Sequence, residues 1–217
     1  MLSLEIAGKI IPTIFVALFP LINPIGSALV LYGMTGKVDE RTWIAASRRI
    51  ALNTFLLLTF FYLFGSYILK LFGISIAVVQ FAGGMVVASI GWNLLNPKED
   101  DKQAEGTKHD TGATLEDKLF YPYTFPITVG PGGLAVALTF SAHLDRHPGV
   151  MVTEERIAAI IGIFAICLVT SACYARLKFL TERISPAGAL AISRILAFFV
   201  FCIGVEIALS GWRALNP

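Results

Sequence analysis

The 217 residues are 56% hydrophobic and 15% charged, with a mean hydropathy of +0.73 and a formal net charge of +2. Soluble domains carry about 25% charged residues, so this composition excludes a soluble globular domain. The small positive balance sits in connecting segments and points to no nucleic-acid partner.

In chain order, apolar runs fall at about 10–32, 50–72, 74–95, 121–143, 157–177 and 190–212. Each is long enough for the roughly 30 Å hydrocarbon layer, which needs about 20 helical residues. The expected fold is therefore all-α, a polytopic membrane protein with six transmembrane segments surrounded by lipid. The first run follows a single lysine, Lys9, with no small-residue cleavage site, and is expected to be retained. Gly73 marks a tight turn, so the second and third runs are expected to form a helical hairpin. Between the third and fourth runs lies "PKEDDKQAEGTKHDTGATLEDK", with four lysines against seven carboxylates, a solvated linker by composition. Cys167, Cys173 and Cys202 all lie in apolar runs, which favours packing over disulfides or metal.

Twelve of the 17 basic residues fall in loops on the linker's side of the membrane. By the positive-inside rule that side is cytoplasmic and both termini face outward.

The third run ends in "GWNLLNP" (91–97) and the last in "GWRALNP" (211–217). The same offset of 120 aligns Phe81 with Phe201, Gly84 with Gly204 and Ala88 with Ala208. "FPLINPIG" (19–26) likewise has a counterpart in "FPITVGPGG" (125–133). Two repeats of three spans must cross the membrane in opposite senses, which predicts inverted topology: residues 1–97, a linker over 98–118, and residues 119–217. Trp92 and Trp212 would then mark opposite interfaces.

The two proline motifs predict that the first and fourth helices are discontinuous. Proline removes a backbone donor and clashes with the carbonyl four residues earlier, and hydrocarbon offers no water to repair the loss. Asn23 before Pro24 is a good helix start, with Asn as cap and proline at the first helical position. Gly130 before Pro131 repeats the arrangement, with Gly132 and Gly133 behind it. Both restarts fall near the middle of their runs. Each would expose unpaired N–H groups and the positive end of a helix dipole, a site for a carboxylate. Carbonyls freed by Pro20 and Pro126 would suit an ammonium, a proton-bearing water or Na⁺.

"FPLINPIG", "FPITVGPGG" and "FAGGMVVASIGW" together resemble the MarC family of bacterial and archaeal inner-membrane proteins, and the resemblance covers essentially the whole chain. It implies six spans, a place in the cytoplasmic (inner) membrane and a relationship to amino-acid exporters typified by LysE. It also implies kinship with SnatA members, transporters of small neutral amino acids such as glycine and alanine. Carried over by motif, the substrate-binding residues are Asn23, Pro24 and Gly26 in the first half and Thr128, Gly130, Pro131 and Gly132 in the second. Two positions depart from the family pattern: Glu206 stands where an amide is more usual, and Gln80 where a basic residue is.

Glu206 lies about 9 Å along the helix from Trp212. A carboxylate at that depth is costly unless protonated, paired or wet, which makes it a candidate for carrying a coupling proton. Arg194 is about 120° round the same helix and is not its partner. His143, Asp145 and His147 fit no standard zinc spacing and read as loop.

These features predict a secondary transporter, an exporter or exchanger with alternating access around a site between the two broken helices. The alternative is a channel for small solutes or ions, since half-helices meeting midway also build pores. "GPGG" lacks the lysine and strand context of a phosphate loop, so energy is expected from an H⁺ or Na⁺ gradient without a cofactor or resident metal. Apart from His143, the last residue of the fourth run, no histidine lies within a predicted span to pair with a nucleophile, which argues against an enzyme. Monomer and oligomer are equally compatible with the pattern.

Overall fold

A chain crossing lipid must satisfy its backbone within each segment, and the chain does so with helices. The computed structural model describes residues 4–35, 38–96, 114–144, 150–176 and 186–216. The elements are α1 (Leu4–Ile22), α2 (Pro24–Thr35), α3 (Glu40–Leu71), α4 (Ile76–Leu95), α5 (Leu115–Lys118), a π-wound segment (Leu119–Thr128), α6 (Pro131–Leu144), α7 (Val150–Ala175) and α8 (Pro186–Leu215). No strand occurs among the described residues. Five stretches are long and apolar enough to span: Ala7–Ala28, Glu40–Leu71, Ala77–Leu95, Thr153–Ala175 and Arg194–Leu215. Leu115–Thr128 and Gly132–Ser141, bent by 75°, form a broken sixth span or a re-entrant loop, which makes five to six candidate spans among the described residues. Most of the linker falls outside the described residues.

Several helices outrun their apolar runs. Apolarity begins near residue 50, but α3 starts at Glu40, where the Asp39 carboxylate accepts from the N–H groups of Arg41 (3.2 Å) and Thr42 (3.4 Å). Hydropathy reports the lipid-facing part of a helix, whereas capping fixes its end. The surplus turns carry charge, and Arg49 reaches Glu116 of α5 at 3.0 Å. Both partners are well exposed, so the pair adds little stability. It does place the start of α3 beside the start of the second half.

The turn after α3 forms as expected. Gly73 takes a positive φ of 66°, and the N–H of Ile74 returns to the carbonyl of Leu69 at 2.9 Å, closing the helix in the manner of a Schellman motif. The expected hairpin does not follow. After the turn, α4 packs chiefly along α8 and also against α6. Small residues dictate that choice. A methyl group at Gly84 would collide with the backbone of Ala208, and one at Gly204 with the backbone of Ala88. Gly91 meets Phe201 and Gly211 meets Phe81 in the same way. Rising numbers on α4 meet falling numbers on α8, so the pair is antiparallel. Each contact has a partner contact with the two offsets of 120 exchanged. Trp212 against Phe81 (ring centroids 5.7 Å) and Trp92 against Phe201 (5.9 Å) close the two ends of the pair. Lipid tails are as apolar as side chains, so this close backbone approach, rather than water exclusion, holds α4 on α8.

The remaining helices form two cores at opposite ends. One gathers Ile14, Leu18 and Ile22 of α1, Leu58 and Tyr62 of α3, Val136 and Ala137 of α6, and Ile163 and Ile166 of α7. The other, on the linker side, gathers Ala28 and Leu31 of α2, Trp43 and Ile50 of α3, Tyr123, and Tyr174 of α7. Trp43 there donates its indole N–H to the Tyr174 carbonyl at 2.8 Å. The two helix breaks lie between the cores.

Gly84→Ala and Gly204→Ala should each destabilise the protein by about 1–3 kcal/mol, the usual cost of overpacking. Gly8→Ala, whose new methyl group meets nothing within 4 Å, should be neutral or mildly stabilising. Thermal unfolding in detergent checks the contrast.

Candidate functional site

The first break is one residue wide. Contrary to the expectation of unwinding at Pro20, α1 runs through Pro20 to Ile22, and only Asn23 leaves the helix, at φ 45°. Asparagine tolerates this left-handed conformation better than most residues. Asn23 then serves both helices. Its N–H closes α1 on the Phe19 carbonyl (2.9 Å), and its Oδ1 accepts the N–H of Gly26 (3.1 Å), capping the third residue of α2. Its carbonyl accepts the N–H of Ser27 at 2.9 Å. Gly26 is required by that cap, because a Cβ there would overlap the Asn23 amide.

The second break is built differently. Residues before proline avoid the helical region, and Tyr121 and Phe125 are extended ahead of Pro122 and Pro126. The stretch is π-wound with a kink at these two extended residues, and threonine hydroxyls satisfy two of its carbonyls. Thr124 Oγ1 donates to the Leu119 carbonyl (2.7 Å) and Thr128 Oγ1 to the Tyr123 carbonyl (2.6 Å). Thr128 also meets the buried Tyr174 hydroxyl at 2.8 Å. Because the Thr128 proton is committed to Tyr123, Tyr174 is the donor in that contact. Val129 and Gly130 then lie outside any helix, and α6 starts at Pro131. Gly130 has no side chain with which to cap it.

A cavity of about 480 Å³ lies between the breaks. Asn23, Gly26 and Ser27 line one wall and Pro126, Ile127 and Gly130 the other, with Ile90 and Leu94 of α4 between them. Leu94 and Tyr121 of its lining are more than half exposed, so its mouth lies there beside Met34, toward the helix ends that flank the linker. Of the residues named by motif, Asn23, Gly26 and Gly130 line the cavity, whereas Pro24, Thr128 and Gly132 are buried beside it. Pro24 begins α2. Thr128 fixes the π-wound segment to α7. Gly132 allows close packing, since a Cβ there would lie 3.1 Å from Leu21 Cδ2. Pro131 opens α6. Glu206 is exposed on α8 and does not line the cavity. Gln80 is buried in α4 beside Gly211. Asp145 and His147 fall outside the described residues.

Sequence reasoning missed Ser27. Its hydroxyl donates to the Ile22 carbonyl at 2.7 Å and lies 3.3 Å from the Ile127 carbonyl, so it connects the two breaks directly. Its spacing of four from Asn23 puts both on one face of α2, a signal that was available. The lock of Tyr174 on Thr128 left no such signal, because it joins residues far apart in the chain.

Gly26→Ala should push the Asn23 amide off its cap and cost about 1 kcal/mol or more. Tyr174→Phe should cost a similar amount by removing a buried donor. Both effects are read as lowered unfolding temperatures in detergent.

Comparison with known proteins agrees with this architecture. The profile described as MarC family integral membrane protein matches residues 8–215. The chain is 28% identical to the membrane protein YvbG of Bacillus subtilis (strain 168), over 94% of each chain. It is 29% identical to the inner membrane protein MarC of Salmonella typhimurium (strain LT2), over 90% of each. No solved structure matches it. A helical, membrane-spanning chain matched by the family profile over nearly its full length is a member of the MarC family of integral membrane proteins.

Proposed function

We propose that this protein is a secondary transporter, an exporter or exchanger of small neutral amino acids such as glycine and alanine. The observation that carries the reading is the cavity of about 480 Å³ between two interrupted helices, with Asn23 and Gly26 from the first interruption and Gly130 from the second on its walls. In this reading the two starts play unequal parts. The start of α2 is already capped by Asn23 Oδ1. The start of α6 has only Gly130 ahead of it, so its first N–H groups take the substrate carboxylate. The ammonium group goes to Asn23 Oδ1 on the opposite wall and to the Ile127 carbonyl, which Ser27 brings close to it. The apolar Leu21 and Ile90 leave room for a short uncharged side chain.

The halves act as inverted repeats. Three spans in each, the paired breaks, and the reciprocal contacts of α4 and α8 at an offset of 120 support that organisation. Basic residues on the linker side make that side cytoplasmic and put both termini outside, in a bacterial or archaeal inner membrane. The cavity then opens to the cytoplasm. Its far side is filled by Leu18, Ile22, Val129 and Val136, each at most 2% exposed, which supports a carrier over a channel.

Flux of an amino-acid panel in proteoliposomes, under imposed H⁺ or Na⁺ gradients, tests the reading. Glycine and alanine should move with saturation and be accelerated by substrate on the opposite side. Single-channel currents would point to a pore instead. Gly130→Leu should abolish flux while leaving the unfolding temperature near that of the parent, because a Cβ at residue 130 makes only an ordinary 3.5 Å contact with the Pro126 carbonyl. Asn23→Ala should lose both flux and stability. If protons drive transport through Glu206, Glu206→Gln uncouples flux from an imposed pH gradient. Unchanged coupling removes that residue from the mechanism.

A further inference from the structure

The cavity has a mouth on the linker side, and the half of the protein beyond the breaks is packed shut. That packed half carries polar atoms that its packing does not serve. Thr54 Oγ1, Thr59 Oγ1 and the Tyr62 hydroxyl are buried without a hydrogen-bond partner. Thr54 and Tyr62 lie on one face of α3, at the four-residue spacing that continues to Ser66. Leaving buried hydroxyls unserved is costly, and a permanently dry core would do better with phenylalanine at position 62. A half that takes in water for part of a cycle hydrates all three groups.

The repeat relation says which surfaces would part. An offset of 107 pairs Asn23 with Gly130, Ser27 with Leu134, Val30 with Ala137 and Met34 with Ser141. The first member of every pair lines the present cavity. Apart from Gly130, which lines it too, the second members lie on α6, along the face packed into the closed half. Met34 stands at the mouth, and its counterpart Ser141 is 2% exposed. Ser141 is held on α3: its Oγ accepts the N–H of Ser66 at 2.9 Å, and a Cβ at Gly65 would stand 3.1 Å from its Cβ and 2.8 Å from Leu138 Cδ2.

We propose that the contact of Gly65 and Ser66 on α3 with Leu138 and Ser141 on α6 is the gate on the side away from the linker. In the opposite-facing state α6 leaves α3 there, and Leu134, Ala137, Ser141, Tyr62 and Thr59 line the second vestibule. The proposal rests on the transporter reading and adds to it the moving surface and its residues.

The gate can be bolted. Gly65→Cys with Ser141→Cys brings two Cβ positions close to the separation a disulfide needs. The pair is made in a chain whose Cys167, Cys173 and Cys202 are replaced by alanine, reconstituted in proteoliposomes and oxidised with copper phenanthroline. Glycine and alanine exchange should stop on oxidation and return with dithiothreitol, and this reversal separates a bolted gate from a misfolded protein. Exchange that continues at the reduced rate after the bridge has formed overturns the gate and leaves the transporter reading standing. A reduced protein that moves no amino acid overturns the transporter reading, and labelling then decides the gate. Leu134→Cys, added to the pair, should react with a membrane-impermeant maleimide from the side away from the linker when reduced and not when oxidised. Val30→Cys should react from the linker side in both conditions. Leu134→Cys that is inert in both, or reactive in both, overturns the proposal.

Discussion

Water is missing where this chain most needs it. Every helix that stops within the membrane must find partners for the amide and carbonyl groups it releases. The architecture of the site follows from how the two halves meet that demand. Asn23 does it with a single residue, closing α1 through its own N–H and capping α2 through its side chain. The second half uses more residues, in a kinked, π-wound stretch whose Leu119 and Tyr123 carbonyls accept from the Thr124 and Thr128 hydroxyls. The consequence is a structural asymmetry between two starts that look alike in sequence. One is filled by its own asparagine, and the other is left with glycines.

That asymmetry is supported by the way the bundle is divided. The core of Trp43, Tyr123 and Tyr174 anchors the π-wound segment on the linker side. The core around Leu18, Leu58 and Val136 fills the opposite end. Ser27 ties the first break to the second through the Ile127 carbonyl. The cavity is therefore bounded by backbone held from both ends.

Much of this was legible in the sequence because membrane solvation leaves coarse marks. Apolar runs located the spans, and "NP" located the restart of α2 with its cap. The match of "GWNLLNP" to "GWRALNP" also had physical content: residues aligned at an offset of 120 are those through which α4 and α8 touch. What escaped was whatever hydropathy cannot see. The polar start of α3 depends on Asp39 as a cap. The docking of α4 on α8 rather than α3 depends on backbone approach at Gly84 and Gly204. The π winding depends on threonine hydroxyls five residues from their acceptors. The place of Glu206 on an exposed face of α8, away from the cavity, could not be judged from its depth in the membrane.

The clasp of α4 and α8 also bears on how the protein comes to be made. In synthesis order, α4 enters the bilayer with its glycine stripe bare, and its mate arrives only after four further described elements. Until then α4 can meet only its lesser partner, α6. Its tight pairing therefore waits for the carboxy-terminal helix. The same late union leaves the finished molecule with a close backbone seam that ties α4 to the carboxy-terminal helix.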